Sequence, residues 1–140
     1  MIALSIFLSV IFFTLGLLHL YWATGGQWGI ASTLPTNASG YRILNPRKAD
    51  SAVVGLGLIS FGLFYLFKMG LIPNPLPDWL FRYGGWLIPA IFILRAVGDF
   101  KYVGFFKKIK QTSFGKIDTQ FYSPLCLGVG FIALLLQVVN

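Results

Sequence analysis

Almost all the ionised side chains of this chain fall in the gaps between four long apolar runs, Ile2–Ala23, Ser51–Met69, Trp79–Gly98 and Tyr122–Val139. A helix rises about 1.5 Å per residue, so ~20 residues cross a hydrocarbon layer of ~30 Å, and each run is close to that length. Charged residues make up 11% of the chain, against about 25% in an ordinary soluble domain. The mean hydropathy is +0.77. The runs therefore predict four membrane-crossing segments.

Inside lipid every backbone N–H and C=O must be satisfied internally, which leaves helices or a closed barrel. Barrel strands alternate with a period of two, and stretches such as Ile2–Leu18 or Leu56–Phe67 do not alternate. The expected fold is all-α: an integral membrane four-helix bundle in one domain over residues 1–140, with helices at about 2–23, 51–69, 79–99 and 120–139. The first run has no Lys or Arg before it and outlasts a signal-peptide core of about 7–15 residues. It is read as a retained helix.

A net charge of +7 raises the question of nucleic acid, but the distribution of the charges answers it. Arg42, Arg47 and Lys48 lie in the first connector, and Lys101, Lys107, Lys108, Lys110 and Lys116 in the third. Only Lys68 and Arg82 flank the second. Alternate connectors lie on opposite sides of a bilayer. The positive-inside rule then puts the first and third in the cytoplasm, with both termini outside. The basic excess reads as orientation and lipid contact, with no nucleic acid as a partner. Cys126 is the single cysteine, inside the fourth run, and reads as a packing residue.

The first connector, with Pro35, Asn37, Gly40 and Pro46, reads as loop. Its Asn37-Ala-Ser39 sequon falls on the cytoplasmic side and is set aside. Pro77 suits the start of the third helix, and Pro89 predicts a kink within it. In the third connector, Tyr102, Phe105, Phe106 and Ile109 share one face at about 100° per residue, with Lys101, Lys107, Lys108 and Lys110 on the other. That pattern predicts a short interfacial amphipathic helix between helices three and four, with those lysines as lipid contacts. Ser123-Pro124 or Asp118 then starts the last helix.

Helical phase assigns the inward faces. Ser5, Ser9, Gly16 and His19 form one narrow stripe, and Ser51, Gly55, Gly62 and Tyr65 another; small residues let membrane helices approach closely. The third run puts Gly84, Ile88, Ile91, Arg95, Gly98, Asp99 and Tyr102 together, and Asp118, Tyr122, Cys126 and Ala133 align in the fourth. His19, Arg95, Asp99, Asp118 and Tyr122 all lie near helix ends on the cytoplasmic side. Arg95 and Asp99 are one turn apart and able to pair. An Arg or Asp at mid-membrane costs about 2.5–3.5 kcal/mol, so such groups are expected to pair or to snorkel to the interface. The candidate ligand-binding set is His19, Tyr21, Trp22, Arg95, Asp99, Tyr102, Asp118 and Tyr122. The plain readings stand beside it: a structural Arg–Asp clasp, a helix-bridging His19 and an interfacial aromatic belt at Tyr21, Trp22 and Trp28. Glu is absent, a single His offers no second ligand for a metal, and no phosphate loop or nucleophile elbow is present. No cofactor is implied.

His19-Leu-Tyr-Trp-Ala-Thr-Gly-Gly-Gln-Trp-Gly29 with Leu34-Pro35, and Arg95-Ala-Val-Gly-Asp-Phe-Lys-Tyr-Val-Gly-Phe-Phe-Lys-Lys108 with Thr112, Phe114, Asp118-Thr119 and Tyr122-Ser-Pro-Leu-Cys126, form two signatures. They resemble those of the bacterial membrane proteins grouped as domain of unknown function 3995. The resemblance spans nearly the whole chain. It implies a small four-helix membrane protein and carries no activity over.

Three functional readings follow. The first is a non-enzymatic module that binds or transports a small ligand or an anionic lipid at the cytoplasmic end, with membrane lipids as partners. The second is an accessory or scaffolding subunit, in a homo-oligomer or a larger membrane complex. The third is an embedded enzyme with Asp99 or Asp118 as base and His19 as proton shuttle. They rank in that order.

Overall fold

The computed structural model describes residues 2–26, 28, 34, 39, 41, 47–73, 76–98 and 103–139. Among them the regular structure is entirely helical: α1 Ile2–Ala23, α2 Lys48–Lys68, α3 Asp78–Val97, α4 Ser113–Ile117, a π-helical turn Asp118–Tyr122, and α5 Ser123–Val139. Four stretches, with α4 to α5 taken as one from Phe114 to Val139, are long and apolar enough to cross a membrane. Only 28% of each membrane-length window is buried within the chain, so the remaining apolar surface needs hydrocarbon or another protein around it.

The chain divides into two compact units. The first comprises residues 1–26, 46–89 and 132–140; the second comprises residues 27–45 and 90–131. The first is built on α1 against α2. Their small residues meet as the stripes predict: Ser9 Oγ donates to the Gly62 carbonyl at 2.9 Å. A Cβ at Gly16 would stand 3.0 Å from the Gly55 carbonyl oxygen, and one at Gly55 would stand 2.9 Å from that of Gly16. Two glycines so placed let the backbones nearly touch. Around that contact, Phe12 stacks on Tyr65 with centroids 6.0 Å apart and meets Phe61 edge-on at 5.8 Å. Asp50 accepts from the Arg47 N–H at 2.9 Å, which ties down the first turn of α2.

Phase reading is less successful in α3. The buried residues are Gly85, Ile88, Pro89, Phe92 and Ala96, while Ile91 is exposed and Gly84 half-buried. The inward face thus lies about one position further along than expected. Gly85 explains part of the offset, because a Cβ there would fall 1.9 Å from Gln137 Oε1 and the Gln137 amide would have to move.

The third connector differs from the sequence expectation. Its described residues, 103–112, form turns and bends rather than an amphipathic helix, and Lys101 and Tyr102 lie outside the described residues. Glycine is the reason. Gly98 ends α3 at φ +86° and Gly104 takes φ +90°, both in the left-handed region. The two backbones are so close that a Cβ at Gly98 would sit 1.8 Å from the Val103 carbonyl oxygen. Phe105 N–H then donates to the Ala96 carbonyl at 2.8 Å, closing the fold-back.

The last helix also begins earlier than expected. Thr112 caps α4, its Oγ1 accepting from the Gly115 N–H at 2.9 Å. Pro124 lies inside the continuous helical path. Its ring cannot donate to a carbonyl four residues back and would clash with it. The preceding turn is widened, with the Ser123 N–H reaching the Asp118 carbonyl five residues away.

Candidate functional site

Asp118 is the centre of the second unit's polar core. It opens the π-helical turn and is fully buried. Its Oδ1 accepts from Arg95 Nη2 at 2.7 Å. Its Oδ2 accepts from the Gly104 N–H at 2.8 Å and faces Lys107 Nζ at 3.1 Å. Lys107 also donates to the Gly104 carbonyl at 3.0 Å and to Thr119 Oγ1. One carboxylate thus gathers the end of α3, the glycine fold-back and the connector lysine.

Two consequences follow for chemistry. Asp118 accepts from three donors out of roughly four positions a carboxylate offers, so little is left to take a proton from a substrate. Among the described residues the cluster also carries two cations against one anion. Arg95 is partly exposed, at 31% of its side chain, yet its Nη1 is buried and has no hydrogen-bond partner. A guanidinium has five donors in a planar fork, and here one edge is held by protein while another nitrogen is left over.

Of the residues singled out in sequence, Arg95 and Asp118 are brought together. The expected partner of Arg95, Asp99, lies outside the described residues, as does Tyr102. Tyr122 is half-buried among aromatics, 6.0 Å from Phe114 and 5.6 Å from Phe121 between ring centroids. His19, Tyr21 and Trp22 belong to the first unit. His19 Nδ1 donates to the Leu15 carbonyl, one turn back, at 2.7 Å. The His19 ring meets Trp22 edge-on at 4.9 Å; Trp22 is buried, whereas Tyr21 and Trp28 are exposed.

Lys107 is the main departure. Amphipathic phase placed it on a lipid-facing side, but it is 1% exposed and bound to Asp118. Lys108 and Lys110 are exposed, and Lys101 lies outside the described residues. Phase could not find Lys107, because the connector is not a helix. Thr119 and the Gly104 N–H were likewise invisible to side-chain patterning. Among the described residues, no three His, Cys, Asp or Glu side chains converge to hold a metal.

The family model described as Protein of unknown function (DUF3995) matches residues 12–133. The chain belongs to this family. The matched segment of this DUF3995 protein contains Arg95, Gly98, Gly104, Lys107 and Asp118, all the residues of the cluster and its fold-back. No curated protein and no solved structure matches the chain.

Proposed function

We propose that this protein is a non-enzymatic module of the bacterial inner membrane that binds an anionic group, a lipid headgroup or a small anion, at the Arg95–Lys107–Asp118 cluster on the cytoplasmic side. The buried, unpartnered Arg95 Nη1 carries the reading. A guanidinium nitrogen withdrawn from water without an acceptor is costly, and a phosphate or carboxylate oxygen would relieve it. The excess of one positive charge favours the same class of ligand, and exposed Lys108 and Lys110 would hold the surrounding anionic leaflet at about 1 kcal/mol each. The occupied acceptor positions of Asp118 place the enzyme reading behind it.

An accessory-subunit role is the second reading, motivated by the apolar surface each helix leaves uncovered. Arg95→Lys separates the two. It keeps the charge and the bond to Asp118 while removing the fork. Retention of phosphatidylglycerol in native mass spectrometry should fall about tenfold, the value of one charge-assisted hydrogen bond, with phosphatidylcholine retention unchanged. Unaltered phosphatidylglycerol retention in Arg95→Lys and Arg95→Gln removes the binding reading; a stoichiometric partner chain co-purifying with both variants favours the accessory one.

A further inference from the structure

A second polar group lies in the first unit, where α2 ends, α3 begins and α5 approaches its C-terminus. Lys68 Nζ donates to Gln137 Oε1 at 2.5 Å, and Gln137 Nε2 donates to the Arg82 carbonyl at 3.3 Å. The amide orientation is fixed by its partners, since an ammonium only donates and a carbonyl only accepts. Gln137 thereby bridges three helices. Gly85 makes the arrangement possible, because a Cβ there would stand 1.9 Å from Gln137 Oε1 and 3.1 Å from Lys68 Nζ.

These residues line an open pocket of about 240 Å³, walled by Lys68, Phe81, Arg82 and Gln137. Neither cation is in an ion pair among the described residues, and Asp78, one turn before Arg82, does not pair with it. Lys68 is only half-exposed, with its ammonium 5.9 Å from the centre of the Phe64 ring. Two cations therefore face a cavity at the end of apolar helices, with no carboxylate among the described residues to balance them. Intramembrane cations are ordinarily paired or open to water-filled space. The volume falls below the range of about 300–1,000 Å³ typical of pockets for drug-sized molecules, which favours a headgroup-sized occupant.

We propose that Lys68, Arg82 and Gln137 form an oxyanion-binding site that takes a phosphate group, carried by an anionic phospholipid or free in solution. Lys68 and Arg82 supply the charge. Gln137 holds Lys68 in place, and Phe81 offers an apolar wall beside the polar group. The site shares no residue with the Arg95 cluster and stands whether or not that cluster binds a ligand.

The test uses the full chain in mild detergent, with native mass spectrometry counting bound phosphatidylglycerol and thermal shift following inorganic phosphate. Arg82→Gln removes an exposed side chain and leaves the Gln137 bridge to its backbone carbonyl intact, so folding should be unaffected. It should weaken binding about ten- to a hundredfold, as loss of a hydrogen bond to a charged group does. Lys68→Gln with Arg82→Gln should abolish one bound phosphate-bearing molecule, whereas Lys48→Gln with Lys116→Gln, the same charge change at exposed positions elsewhere, should retain it. Retention of phosphatidylglycerol without a phosphate shift assigns the site to lipid; a phosphate shift lost in Arg82→Gln assigns it to the free anion. Wild-type protein that binds neither probe, or equal loss in the Lys48/Lys116 variant, overturns the proposal. Because lipids are counted, a loss here and a loss at Arg95 read as separate decrements.

Discussion

The Arg95–Lys107–Asp118 cluster and the Lys68–Arg82–Gln137 cluster each place two cations near helix ends, but among the described residues only the first is tied to a carboxylate. In the first, the charges hold protein to protein: Asp118 is fully buried and engages α3, the connector and a backbone N–H. In the second, a neutral amide does the bridging and both cations are left facing a pocket. In the first cluster charge is mostly architectural, with Arg95 Nη1 alone left over for a ligand, whereas in the second both cations are receptive.

The comparison is most directly challenged by Asp118→Ala. It leaves two cations uncompensated and should destabilise the fold by about 3–5 kcal/mol, the range for breaking a buried pair. Thermal unfolding in detergent reads it, and a shift no larger than that of a surface variant would mean that Asp118 anchors nothing. Lys107→Met comes next, with an expected cost of about 1–3 kcal/mol from lost charge-assisted bonds. Gly55→Ala should cost about 1–3 kcal/mol by pushing a methyl against the Gly16 carbonyl. Lys68→Met sharpens the contrast. Its bond is to the neutral Gln137 amide, with no ionic partner to lose among the described residues, so ligand-free protein should change by only about 1 kcal/mol. Equal costs for Lys68→Met and Lys107→Met would erase the distinction between the clusters. Smallest of all is Gly57→Ala, where a Cβ meets nothing within 4 Å and helix propensity should add about 0.5–1 kcal/mol of stability.

The membrane architecture was legible because length and hydropathy are one-dimensional properties. The α1–α2 seam was legible for a related reason. Ser9, Gly16, Gly55 and Gly62 lie on unbroken helices, where 100° per residue holds. Phase failed where the backbone departs from that geometry. Gly98 and Gly104 turn the connector back on itself, so the alternation that made Lys107 seem lipid-facing described a helix that is not there. Gln137 was overlooked although it is the one polar side chain between Phe131 and Val139. A lone amide in an apolar run is itself a signal, since its hydrogen-bonding capacity must be met somewhere.

The wide turn at Asp118–Tyr122 has a consequence for sequence length. The Ser123 N–H reaches back five residues to the Asp118 carbonyl where a regular α-helix reaches four, so the turn absorbs one extra residue without changing the phase of α5. Deleting one of residues 120–122 should therefore regularise the turn and keep Ser123 and Val129, both buried, facing inward, while removing the room that the wide turn gives Pro124. A single-residue deletion further along α5 has no such slack and should rotate every later side chain by about 100°.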